Sequence, residues 1–121
     1  MHSYLKIIIS LLFIAAASFC KAQDTLKITP EQAKNYVGKT VTVCGKIDDV
    51  FVSIVGNVFF NFGGSYPNQK FTIYFFSNEE GESNKPFEKY KGKTICATGV
   101  VKLDNKKPEI QLESRNEFIV Q

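Results

Sequence analysis

The pattern of apolar and polar positions changes character twice along this chain. Residues 7 to 19 are an apolar run broken only by Ser10 and Ser18, with Lys6 before it and Lys21 just after it. A positively charged start followed by a short apolar stretch is the layout of a secretory signal. The run is shorter than the roughly 20 apolar residues that a membrane-spanning helix needs. Ala22 is small enough to precede a cut, so residues 1 to 22 read as a cleaved signal peptide and residues 23 to 121 as one domain. The alternative start, an acylated Cys20, is disfavoured because bulky Phe19 stands where a lipoprotein signal wants a small residue. The protein is therefore expected to be exported, to a periplasm or to the outside.

A low-pattern stretch from 23 to 28 leads into Thr29-Pro30-Glu31-Gln32. Thr29 can cap, Pro30 suits the first helical position and Gln32 completes a capping box, which predicts a short helix running to about Val37 and stopped by Gly38. From Lys39 the period becomes two. Val41, Val43 and Ile47 share one face of a strand; Thr42, Cys44 and Lys46 share the other. Gly45 inside it suggests a bulge or sharp bend. Asp48-Asp49 reads as a solvated turn or bulge, after which residues 50 to 54 continue the strand until Gly56-Asn57 turns the chain.

Residues 58 to 62 and 71 to 76 are the second and third strands, a hairpin joined by the turn-rich Gly63-Gly64-Ser65-Tyr66-Pro67-Asn68-Gln69. The polar stretch 77 to 91 admits at most a short helix, because Gly81 and Pro86 interrupt it. Residues 95 to 103 form a fourth strand and 109 to 113 a fifth, with a turn at 104 to 108. Tyr36-Val37-Gly38-Lys39-Thr40, before the first strand, is echoed by Tyr90-Lys91-Gly92-Lys93-Thr94 before the fourth. The fold class expected is all-β: a five-stranded Greek-key barrel with a short N-terminal helix and a short helix or loop between strands three and four.

Composition narrows the chemistry. The 121-residue chain has 15 basic and 12 acidic side chains, and loss of Lys6 and Lys21 with the signal lowers its net charge from +3 to +1. His2, the only histidine, goes as well, and there is no tryptophan. A mature chain without histidine has neither a Ser-His-Asp nor a Cys-His mechanism and no His-based zinc or copper site. Gly38-Lys39-Thr40 and Gly92-Lys93-Thr94 look like the end of a phosphate-binding loop, but Ala33 and Phe87 stand where its first glycine belongs and a strand follows instead of a helix. Asp48 and Asp49 point to opposite faces and do not flank one bond. Glu79, Glu80 and Glu82 lack the alternating oxygen ligands of a calcium loop. No enzyme, metal or cofactor is expected. Export places Cys44 and Cys96 where a disulfide persists, and they are either bonded or two half-buried thiols.

From Ile28 onward the chain resembles the small bacterial oligonucleotide/oligosaccharide-binding (OB) fold domains of the tRNA-anticodon-like type. The resemblance rests on Ile28-Thr29-Pro30-Glu31-Gln32-Ala33, Val37-Gly38-Lys39-Thr40-Val41-Thr42-Val43-Cys44-Gly45-Lys46, Phe62-Gly63-Gly64-Ser65-Tyr66-Pro67-Asn68 and Tyr90-Lys91-Gly92-Lys93-Thr94. It implies that the first and fourth strands are neighbours, which brings Cys44 and Cys96 within bonding reach. It also implies a ligand face across strands two and three.

Alternation puts Val58, Phe60, Phe62, Phe71, Ile73 and Phe75 toward the core, and Phe59, Tyr74 and Phe76 on the outer face, with Tyr66 in the loop between. Those outer rings are either an exposed platform for stacked bases or sugars, or a second small core covered by Phe87 or by Phe118-Ile119-Val120. With Lys46, Lys70 and Lys106 as ionic contacts, the expected ligand is single-stranded nucleic acid or a similar oligomer; the alternative is a cell-envelope protein partner on the same surface. A charge of +1 makes any nucleic-acid contact local and sensitive to salt, stronger if the lysines cluster in one stripe and weaker if they disperse.

Overall fold

A computed structural model describes residues 25–77, 85–114 and 117–121. The expected signal peptide and the acidic cluster Glu79, Glu80 and Glu82 lie outside the described residues. Among the described residues the fold is all-β apart from two short helical segments. The nine strands among the described residues are β1 Lys27–Ile28, β2 Thr40–Lys46, β3 Asp49–Val52, β4 Asn57–Phe62, β5 Phe71–Phe76, β6 Thr94–Val100, β7 Lys102–Asp104, β8 Lys107–Gln111 and β9 Phe118–Val120. They fall into two sheets, one ordered β1-β2-β6-β9 and one ordered β3-β4-β5-β8-β7. The pairings form no closed barrel among the described residues. Each of the two long strands expected from the period is divided: the first passes from one sheet to the other at Ile47-Asp48, the fourth at Val101.

Two glycines of the echoed sequence hold these crossings. Gly38 and Gly92 both adopt left-handed backbone, at φ 84° and 83°, where glycine carries no steric penalty. The Gly38 N–H donates to the Val101 carbonyl at 2.8 Å and the Val101 N–H to that of Lys39 at 3.1 Å. In the same way Gly92 N–H donates to Ile47 at 2.8 Å and Ile47 N–H to Lys93 at 2.9 Å. Ile47 and Val101 are buried, so these bonds satisfy backbone groups that a bend would otherwise strand away from water. The two copies of Gly-Lys-Thr are a structural device of the crossings.

The helix expected to reach Val37 is a 3-10 helix, Pro30–Asn35, with Pro30 and Ala33 facing the core. Its turn closes through Gln32 N–H to Thr29 O at 3.1 Å, and the Gln32 side chain accepts from the Thr29 N–H at 2.9 Å. Gly45 makes no bulge, because β2 and β6 stay in register through Gly45↔Ile95. It is there for space: a Cβ at 45 would lie 2.4 Å from Pro30 Cγ and 2.9 Å from Pro30 Cδ. The other helical segment, α1, is a single turn at Lys85–Glu88.

Three more boundaries differ from expectation. Lys27 and Ile28 pair in parallel with Thr42 and Val43, a strand too short for alternation to reveal. Ile54 and Val55 lie in the turn, and Ile54 is 90% exposed. Asn105 and Lys106, at φ 48° and 66°, make a tight turn, so the last long strand begins at Lys107 and ends at Gln111. Phe118–Val120 pairs with β6 and sends Phe118 into the core, edge-on to Phe60 at 5.3 Å and to Tyr90 at 5.2 Å.

Cys44 and Cys96 stand opposite each other on β2 and β6, with Cα atoms 4.1 Å apart, and are bonded. Among the described residues no helix is long and apolar enough to cross a membrane. The disulfide closes a separation of 52 residues, so replacing both cysteines by alanine is expected to cost about 4 kcal/mol in urea unfolding. Gly45→Ala, which forces Pro30 to move, is expected to cost about 1–3 kcal/mol. Gly92→Ala meets no atom within 4 Å and bears only backbone strain, about 1–2 kcal/mol, so paired denaturation curves separate crowding from conformation.

Candidate functional site

The β4–β5 hairpin decides which rings face outward. Val58, Phe60, Phe62, Phe71, Ile73 and Phe75 are all buried, and burying them leaves the alternate positions on the far side of the five-stranded sheet. Strand register then assembles those positions into two bands. In the first, Phe51 lies opposite Phe59, Phe59 opposite Tyr74 and Tyr74 opposite Gln111. Phe59 and Tyr74 stack at 5.7 Å with 21° between ring planes, and Phe51 follows at 6.0 Å and 32°. The Tyr74 hydroxyl donates to Gln111 Oε1 at 3.0 Å, which fixes the ring's outer edge.

Two residues along each strand lies a polar band: Asp49 opposite Asn61, Asn61 opposite Thr72, Thr72 opposite Glu109 and Glu109 opposite Lys102. A directed hydrogen-bond chain runs through it. Gln69 Nε2 donates to Thr72 Oγ1 at 3.4 Å, that hydroxyl to Asn61 Oδ1 at 2.9 Å, and Asn61 Nδ2 to Asp49 Oδ2 at 3.2 Å. Asn61, Thr72 and Gln69 are buried; Asn61 and Thr72 are bonded on both sides, and satisfied polar groups at such depth are rigid. Asp48 and Asp49 are thus more than a solvated turn. Asp49 ends this chain, and Asp48 Oδ2 accepts the Gly63 and Gly64 N–H groups at 2.7 and 3.2 Å, tying the β4–β5 loop to the first crossing.

A cleft of about 560 Å³ opens over the junction of the two bands. Phe51 and Phe59 line one side, Asp104, Lys107 and Glu109 another, and Tyr66 stands at its rim. Among the described residues no three carboxylates or cysteines converge to hold a metal. Glu109 sits above the usual carboxylate range because burial disfavours its charge and Asp104 repels it, with Lys102 offsetting only part. Burial, then Glu109 and Asp104, also raises the Tyr74 phenol.

Of the residues singled out from the sequence, Phe59 and Tyr74 meet as a stacked pair, and Tyr66, 72% exposed, reaches the same cleft. Phe76 is exposed at the opposite end of β5, across from Asn57. Lys70 is exposed beside Gly63 and Lys106 sits in the β7–β8 turn, whereas Lys46 ends β2 in the other sheet. The lysines are dispersed. Neither proposed cover reaches the outer rings: Phe87 packs edge-on to Phe75 at 5.8 Å and Phe118 against Phe60, Phe75 and Tyr90, all on the core side. Phe51, Asn61, Gln69, Thr72 and Glu109 were not singled out. Phe51 was legible from its phase with Phe59, but Glu109 reaches the site only through the parallel β5–β8 pairing, which no local pattern encodes.

No protein-family model matches the sequence. No curated protein matches it either. Among solved structures it is similar to the OBody AM1L10 in complex with hen egg-white lysozyme, with a TM-score of 0.52 and 12% identity over 84% of this chain and 98% of that one. It is also similar to a protein described as an aspartyl-tRNA synthetase from Leishmania major Friedlin, with a TM-score of 0.49 and 8% identity. There the match covers 84% of this chain and only 22% of the synthetase. At such identities the likeness is one of fold.

The raised Glu109 value carries a sign. Ionised Glu109 is less favourable folded than unfolded, so its contribution is best below the ordinary glutamate range and is lost as pH rises through its raised value. Glu109→Gln is therefore expected to raise the melting temperature at neutral pH, with the advantage vanishing in acid where both side chains are neutral.

Proposed function

We propose that this protein is an exported, non-enzymatic binding module of the OB type that works through the outer face of its five-stranded sheet. The observation that carries this reading is the aromatic band Phe51-Phe59-Tyr74, uncovered among the described residues and lying in register beside a pre-organised polar band. Rings held at stacking distance on a rigid sheet offer a ligand flat surface at little cost in ordering. Absence of any histidine from the mature chain supports a binding role over catalysis.

Single-stranded nucleic acid is the first ligand class such a band suits, because any base stacks on an exposed ring, at about 1–3 kcal/mol per base. Lys70 and Lys106 would then serve as nearby phosphate contacts, and Tyr66 as an additional ring. A second reading, an envelope protein partner, is favoured by one specific observation: the cleft beside the rings carries Asp49, Asp104 and Glu109 against Lys107, and Lys46 lies on the other sheet. The lysozyme bound by the OBody is itself a protein, which illustrates that this fold can present a protein-binding face.

Titration of the disulfide-intact mature protein with labelled single-stranded oligonucleotides at two salt concentrations tests the first reading. Base stacking predicts binding that weakens with salt and falls by tenfold or more in the Phe59→Ala, Tyr74→Ala double variant. No binding at low salt, or binding indifferent to that double variant, excludes it.

A further inference from the structure

Hydrogen-bond acceptors outnumber donors in the cleft. Asp49, Asp104 and Glu109 bring carboxylates, while the lining lysine, Lys107, donates to the Gln69 backbone carbonyl at 2.9 Å. The Gln69 side chain supplies a second, independent sign. Only 7% exposed and part of the cleft wall, it gives its Nε2 to Thr72 and leaves Oε1 with no partner. A buried amide oxygen without a donor is costly, and the rest of this polar chain is satisfied.

The walls add a preference for positive charge. Phe51, Phe59 and Tyr66 line the cleft, and the negative face of an aromatic ring attracts a cation. A metal ion does not fit this arrangement, since no three ligands converge among the described residues. The acids are instead spread along the polar band: Asp49 on β3 and Glu109 on β8 are three strand spacings apart, about 14 Å. A phosphate backbone would meet repulsion here. A planar guanidinium, with five donors and a face that stacks on rings, matches both the acceptors and the walls better than a point-like ammonium.

We propose that the cleft docks a segment of a basic exported protein that carries two arginines, one guanidinium stacked on Phe59 and Tyr66 with its N–H groups toward Asp49, the other with its N–H groups toward Asp104 and Glu109. This rests on the protein-partner reading of the same sheet face. An extended segment rises about 3.4 Å per residue, so two arginines four residues apart span the two acidic ends.

The test uses the disulfide-intact mature protein and three fluorescein-labelled probes at low salt. These are a Gly/Ser nonapeptide with two arginines four residues apart, the same peptide with citrulline at both positions, and an oligo-dT of matched length. Citrulline keeps the planar shape and removes the charge. The expected result is at least tenfold tighter binding of the arginine peptide than of either other probe, with a tenfold loss in Asp104→Asn, Glu109→Gln protein. Melting temperature and far-ultraviolet circular dichroism check that this variant folds. Equal binding of the arginine and citrulline peptides, unchanged affinity in the folded variant, or no binding of any probe overturns the proposal. If oligo-dT or the citrulline peptide binds at least as tightly as the arginine peptide, and does so in a Phe59-dependent way, the sheet face stands as a binding surface and the guanidinium assignment fails.

Discussion

The structure depends on the two places where one strand leaves a sheet and enters the other. A β-strand can turn such a corner only if the backbone groups released from the ladder find partners, and at Ile47 and Val101 those groups are buried. Each corner is clamped by a glycine–lysine pair from the start of the other long strand: Gly92 and Lys93 hold Ile47, Gly38 and Lys39 hold Val101. The arrangement is reciprocal, so neither crossing forms without the other strand in place. The disulfide joins the same two strands at Cys44 and Cys96, and β9 adds to the outer edge of the pair.

Everything at the candidate site follows from those corners. Once the first strand has passed into the second sheet, Val50 packs inward and Phe51 must point outward, in line with Phe59 and Tyr74. A slip of one residue would exchange the buried Phe60 and Phe75 for Phe59 and Tyr74, turning the largest apolar side chains of the core into water. Core burial therefore holds the aromatic band in register, although the band itself contributes little to the core. The loop at Gly63-Gly64 is tied to Asp48, next to the same corner, so the wall bearing Tyr66 and Gln69 is positioned by the crossing as well.

The two bands differ in how the protein treats them. The polar one is largely buried and bonded, running from Gln69 through Thr72 and Asn61 to Asp49, and its end at Glu109 carries a carboxyl whose charge burial disfavours. The aromatic one is half-open, with Phe51 52% exposed and, among the described residues, no helix or terminal strand across it. For a ligand on the proposed face, a rigid polar edge beside an open stacking surface would give direction: rings would be accepted broadly, and polar groups chosen by the acceptors next to them.

By itself the sequence determined the period of each long strand, the inward and outward sets of β4 and β5, and the glycine positions that end the helix and open the strands. It did so because side-chain alternation and left-handed glycine are local properties. It also showed an apolar stretch at residues 7 to 19 and a single histidine, His2. Gly45 suggests a bulge or sharp bend from the sequence, but the strand stays in register there and the glycine makes room for Pro30 on another element. Only the tertiary structure decided that Phe87 and Phe118 join the main core rather than cover the outer rings. It alone placed Glu109 beside Thr72 through a parallel pairing, dispersed the lysines and left Gln69 Oε1 unpaired. These are facts about which strands meet, and strand pairing is a long-range choice made by burial and hydrogen-bond satisfaction across the whole domain.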